Sequence, residues 1–304
     1  MSAPRLRSFL SVVALCGLLG ACSATSKARG DSVLSGVGRI PGINSSGAAV
    51  VVDGVRANLS SIQGPTIGTL VSGNKLLVIG DSILAGTASR YGGAMCSALT
   101  PMGWRVAVEA EAGQLVSFGR TVLRDRIYEG WDAAVVFLGT NYGGSAEKYQ
   151  RDLTAIVESL APRPMLLLTA TLFRPTMNDV NNVIRAVAAS HSNVTILDWS
   201  STSAQPGLLN ADGIHPNNAG RSVLVQSIAN ALGNAPTSPG SCLPSKYTDD
   251  TMGRDFMPST TVAAVADPDI PSAVATTSPA VTTTIGTGAT TVPPSITTTT
   301  SVAR

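Results

Sequence analysis

Apolar residues follow two rhythms between positions 75 and 233. Short runs at 76–79, 106–108, 133–138, 165–169 and 194–197 are almost wholly apolar and lack polar–apolar alternation. Strands buried on both faces of a parallel sheet have that pattern. The intervening segments carry apolar residues three and four apart, the spacing of one helix face. In 115–128 these are Val116, Phe118, Val122, Leu123 and Ile127, and 149–160, 180–189 and 219–232 repeat the spacing. A further helix is predicted over 83–99. Strands alternating with helices predict an α/β fold, a three-layer α/β/α sandwich around a five-stranded parallel sheet, flavodoxin-like in winding. Reactive groups in such a fold collect at the carboxyl ends of the strands.

The flanks read differently. Arg5 and Arg7 precede an apolar run at 9–19 that is too short to span a bilayer with ease, and the run ends in Leu19-Gly20-Ala21-Cys22. This is the layout of an export signal over 1–21. The small residues before Cys22 resemble the lipobox of bacterial lipoproteins, in which the cysteine is lipidated and becomes the first mature residue. An ordinary cleaved signal with a chance cysteine is the alternative. Residues 22–74 are expected to be a tether, with a possible edge strand at 49–55 turning at Asp53-Gly54. The domain proper is placed at 75–245. From 246 to 304 Thr, Ser, Pro and Ala dominate, and no charged residue lies between Asp269 and Arg304. Such a stretch cannot offset its ordering entropy and is expected to be a disordered tail.

Composition narrows the function. Hydrophobic residues at 44% and charged residues at 13% of 304 exclude a wholly disordered, highly charged chain. A net charge of +2 without a Lys/Arg cluster argues against nucleic acid as a partner. Of four cysteines, Cys16 falls within the signal and Cys22 is the anchor candidate. Cys96 and Cys242 remain, a pair that in an exported chain favours a disulfide, with two buried thiols as the alternative. Their spacing fits no zinc site, no Gly-rich phosphate loop is present, and neither a metal nor a cofactor is called for.

The chemistry centres on Gly80-Asp81-Ser82-Ile83, which follows the run at 75–79 and precedes a helix. A serine there stands at a strand end and a helix start together, where free amides favour developing negative charge. Serine needs a base within hydrogen-bond reach. His191 lies in a loop between a helix and a strand and is expected to be solvated. His215, in Asp212-Gly213-Ile214-His215, has a carboxylate three residues before it that can orient the ring. Ser82, His215 and Asp212 therefore make a candidate catalytic triad. Gly30-Asp31-Ser32 repeats the nucleophile motif without a strand leading into it and is set aside as chance. Glu109, Glu111 and Asp198 are expected to be ordinary strand-end residues, and Trp104, Trp131 and Trp199 packing residues.

In these blocks the sequence resembles the SGNH/GDSL hydrolase family over about 75–233. Gly113 follows the second strand and Asn141 the third, in Leu138-Gly139-Thr140-Asn141. The resemblance implies an oxyanion hole made of the Ser82 and Gly113 amides and the Asn141 side chain. Tyr142 stands where many members carry aspartate, and Ile83 where the family name has leucine. The Gly-Thr-Asn form, with Leu197-Asp198-Trp199, is similar to the branch associated with membrane acyltransferases that modify envelope glycans. Implied is a serine esterase or O-acyltransferase on the outer face of a bacterial cytoplasmic membrane or in the cell envelope. Its partners would be an acyl-ester substrate, an envelope glycan, a membrane reached through a lipid anchor and a membrane acyltransferase. The competing expectation is a non-catalytic envelope module that retains the fold.

Overall fold

The structure is a computed structural model that describes residues 49–252. The signal at 1–21, Cys22, the repeated motif at Gly30-Asp31-Ser32 and the tail from 253 onward lie outside the described residues. A hairpin comes first, β1 (Ala49–Val52) and β2 (Val55–Asn58). The main sheet contains β3 (Lys75–Gly80), β4 (Arg105–Ala110), β5 (Ala133–Phe137), β6 (Met165–Leu168), β7 (Val194–Leu197) and β8 (Ser241–Cys242). Its order is β7-β6-β5-β3-β4-β8, and every pair is parallel. The helices are α1 (Ser82–Ala85), α2 (Ala94–Leu99), α3 (Ser117–Arg126), α4 (Ala146–Leu160), α5 (Met177–Ala189), α6 (Trp199–Ser203) and α7 (Asn218–Leu232).

The two-residue period of a strand divides the core between two layers of helices. Leu76 and Val78 of β3, Val106 and Val108 of β4, and Val135 and Phe137 of β5 pack with α1, α2 and α7. Their neighbours Leu77, Ile79, Ala107, Ala134 and Val136 face the other way, against α3, α4 and α5. Both faces are covered, so the strands need no polar side, and the continuous apolar runs follow. Among the described residues no helix is long and apolar enough to cross a membrane.

The fold is the expected three-layer α/β/α sandwich, with six strands rather than five. The additional strand, β8, has two residues, too few to produce a periodic signal. It lies on the β4 edge, and Cys242 within it is bonded to Cys96 of α2. The helix expected over 83–99 is broken into α1, a 3-10 turn at Ser89–Tyr91 and α2. Gly92 and Gly93 take left-handed φ values of 94° and 67°, which no helix interior accepts.

The boundary at 75 also moves. Asp53 and Gly54 have φ of 50° and 78°, a two-residue hairpin turn whose hand suits the strand twist. The hairpin is a sheet of its own rather than an edge of the main one. Residues beyond it are part of the folded body: Ile67 is fully buried, and Ser60 N donates to Ser227 Oγ of α7 at 3.0 Å. At the other end, residues 246–252 continue the domain past the expected limit of 245.

Candidate active site

Sheet order brings three strand ends together. β3 is central, flanked by β5 and β4, and Gly80 is in register with Phe137 on one side and Ala110 on the other. Ser82, Gly113 and Asn141 follow Gly80, Ala110 and Phe137 by two, three and four residues. All three therefore emerge at the carboxyl edge of the sheet, on neighbouring strands.

The turn carrying Ser82 is tight. Asp81 caps α1, its Oδ1 accepting from Ile83 N at 3.1 Å. Gly80 is required by packing, because a Cβ there would come within 2.6 Å of the Leu84 side chain. Asp81 is fully buried, with Thr140 beside its carboxylate as well as the Ile83 amide. Desolvation pushes its carboxyl up to about 6, against the opposing influence of the Ile83 amide, Thr140 and His215.

His215 arrives on the loop before α7. Asn210 N donates to His215 O at 2.8 Å, Asn217 N to Leu208 O at 3.0 Å, and Leu209 bridges to Pro216. Asn217 then caps α7 by accepting from Gly220 N. Within this closed loop Asp212 Oδ1 accepts the amides of Ile214 and His215, at 2.8 and 3.0 Å. Its Oδ2 lies 2.8 Å from His215 Nδ1, and His215 Nε2 lies 2.9 Å from Ser82 Oγ. Partial burial would raise the Asp212 carboxyl, but the Ile214 amide, the His215 ring and the His215 amide outweigh it and hold it below the ordinary range. A chain of two contacts thus joins the Ser82 hydroxyl, the His215 imidazole and the Asp212 carboxylate, with Ser82 and His215 both buried.

Gly113 has φ of 76°, a left-handed value that suits glycine. Asn141 Nδ2 donates to Gln114 O at 3.1 Å, tying the loop after β5 to the loop after β4. An amide nitrogen carries two hydrogens, so one remains for an acceptor at the strand ends.

The other candidates have structural partners. Glu109 is fully buried, pairs with Arg126 and accepts the amides of Lys246 and Tyr247. Glu111 accepts from Gln114 and from Asp249 N, and Asp198 from Thr169, Ser200 and Ser201. Trp104, Trp131 and Trp199 are buried packing residues. His191, expected to be solvated, is half-buried, with Nδ1 2.7 Å from Val187 O at the end of α5. Among the described residues no group of three or more His, Cys, Asp or Glu is placed to hold a metal ion.

Residues 78–223 match the sequence model of the "GDSL-like Lipase/Acylhydrolase family". Solved structures similar to the chain include the C-terminal catalytic domain of Streptococcus pneumoniae peptidoglycan O-acetyltransferase A. It is 22% identical, covers 53% of this chain and 93% of its own, and has a TM-score of 0.43. A two-domain esterase active on acetylated mannans is 16% identical, over 52% of this chain and 48% of its own, with a TM-score of 0.43. A Clostridium thermocellum family 3 carbohydrate esterase is 13% identical, over 53% and 95%, with a TM-score of 0.44. A search of curated proteins gave no match.

Proposed function

The chain carries a domain of the GDSL-like lipase/acylhydrolase family, an enzyme that acts on esters, and we propose that its reaction runs through Ser82, His215 and Asp212. The observation carrying this is the 2.9 Å contact of Ser82 Oγ with His215 Nε2, continued at 2.8 Å to Asp212. Asp212 holds the Nδ1–H tautomer, so Nε2 presents a lone pair to the serine hydroxyl. His215 takes the hydroxyl proton as Oγ bonds to the ester carbonyl carbon. The tetrahedral oxyanion is met by the Ser82 and Gly113 amides and the Asn141 side chain. Collapse breaks the ester C–O bond, the alcohol leaves with the proton from His215, and an acyl-Ser82 remains. Water or a sugar hydroxyl, deprotonated by His215, then takes the acyl group, which gives an esterase or an O-acyltransferase.

The acyl-bearing substrate is proposed to be an envelope glycan. Supporting this is the amino terminus, where a signal over 1–21 would export the chain and leave it on a lipid anchor at Cys22. So anchored, it would stand on the outer face of the membrane, beside any membrane acyltransferase that supplies acyl groups.

Turnover of a short-chain nitrophenyl ester by wild type, Ser82→Ala and His215→Ala tests the chemistry. Wild-type turnover lost in both variants is expected. Absence of wild-type turnover would favour a binding module, and a Ser82→Ala variant as active as wild type would remove the nucleophile assignment. Cell fractionation of Cys22→Ala tests the anchor, since a variant that stays with the membrane contradicts it.

A further inference from the structure

The family match ends at residue 223, yet the chain continues along the β4 edge of the sheet as far as residue 252. Its course follows β4 almost step for step. Cys242 pairs with Val106, and Leu243 N donates to Val106 O at 2.7 Å. Lys246 N and Tyr247 N donate to the Glu109 carboxylate, and Asp249 N to Glu111 Oε1 at 2.9 Å. Asp250 Oδ1 then accepts Ala112 N at 2.9 Å. The strap reaches Gly113 itself, where an added Cβ would stand 2.9 Å from Met252 Cβ.

Asp250 does more than meet one amide. Arg90, in the 3-10 turn between α1 and α2, donates from Nε and Nη2 to the two Asp250 oxygens at 2.7 and 2.9 Å. Its Nη2 also donates to Ala110 O at 2.6 Å. The backbone is therefore held at 110 by Arg90 and at 112 by Asp250, immediately before the candidate oxyanion donor. The Asp250 side chain is 7% exposed, so solvent competes little with this clamp. The disulfide from Cys242 to Cys96 of α2, with Cα atoms 5.6 Å apart, anchors the start of the strap.

We propose that Asp250 is a positioning residue, which with Arg90 sets the Gly113 amide for the oxyanion. The inference rests on the roles given above to Ser82 and Gly113. Losing one oxyanion donor costs about a hundredfold or more in kcat, and displacing one by a fraction of an ångström costs less. Asp250→Ala is therefore expected to lower kcat on a nitrophenyl ester about 10- to 100-fold, with KM within about twofold, because the donor acts only on the transition state. Asp250→Asn keeps an oxygen for Ala112 N–H and is expected to recover most of that loss. Melting curves taken alongside separate displacement from unfolding.

An Asp250→Ala variant with wild-type kcat, or with activity that falls only as its folded fraction falls, overturns the proposal. An Asp250→Asn variant as impaired as Asp250→Ala assigns the effect to the ion pair and overturns the role of the Ala112 contact. If Asp250→Ala is not recovered folded, Arg90→Gln, which releases the Ala110 carbonyl, is read by the same split of kcat from KM. An active wild type and an inactive Ser82→Ala, together with an unimpaired Asp250→Ala, would sink this proposal alone. An inactive wild type would sink the reading beneath it.

Discussion

Asp81 is the costliest residue of the nucleophile turn, and replacing it by asparagine should make the protein more stable at neutral pH. Its carboxyl titrates at an ordinary 3.8 when the chain is unfolded and at about 6 in the folded state. Between those values the folded state binds more protons than the unfolded one, so stability falls as pH rises through that window. Above about 6 the full cost is present. The difference corresponds to about 3 kcal/mol, and about 2 kcal/mol is the expected gain, since denatured chains are not wholly solvated. The asparagine of Asp81→Asn is neutral at every pH and keeps an oxygen for Ile83 N–H. For a domain of this size about 2 kcal/mol moves Tm by about 4–8 °C. Thermal melts of wild type and Asp81→Asn at about pH 8 and about pH 4 provide the assay. The variant should melt higher at the alkaline pH, and the gap should close near pH 4. An Asp81→Asn variant that melts at or below wild type at pH 8, or a gap independent of pH, would refute the desolvation account.

Three further outcomes follow from the site and its anchors. Asp212→Asn presents an NH₂ to His215 Nδ1, forces the proton onto Nε2 and should lower kcat about a hundredfold to ten-thousandfold. The lower end is expected because the Asp212 side chain is 22% exposed, and a loss under threefold in steady-state kinetics would contradict the relay. Asn141→Ala should lower kcat about a hundredfold or more with little change in KM, and a rise in KM at constant kcat would show that Asn141 only binds substrate. Replacing Cys96 and Cys242 by serine opens a loop with a sequence separation of 146 and should cost about 2–5 kcal/mol in denaturant titrations. Unchanged stability would mean that the loop is already ordered in the unfolded chain.

The sheet was legible from sequence because burial on both faces removes alternation, and the runs at 76–79 and 133–138 show it without ambiguity. The helices α3, α4 and α5 were legible because each turns one apolar stripe to the sheet, whereas α7, apolar along most of its length, is buried on nearly every side. What the rhythm missed had physical causes. α1 and α2 are too short to show a helical period of their own, and the turn between them is marked in the sequence only by Gly92-Gly93, a signal that the reading of 83–99 as one helix passed over. α6, with five residues, is shorter than the window over which periodicity can be counted. Residues 49–74 look like a tether because their apolar residues are scattered among Ser, Gly and Asn without a helical or strand period beyond 55, yet hydrogen bonds such as that from Ser60 to Ser227 and the burial of Ile67 attach them to the body. The candidate triad was legible because Ser82 and His215 each sit in a local motif. Asp250 was not, because its role depends on a strap that meets the end of β4 from 138 residues away in sequence, and only the folded edge brings the two together.

Covalent labelling tests the central claim most directly. Incubating the protein with a serine-directed phosphonate and measuring intact mass, followed by mapping of the modified peptide, asks which atom is nucleophilic. One adduct per chain on Ser82 is expected, slowed severely in His215→Ala and absent in Ser82→Ala. A wild-type protein that takes up no label while remaining folded, or an adduct that persists in Ser82→Ala, would contradict an acyl-transfer reaction through Ser82.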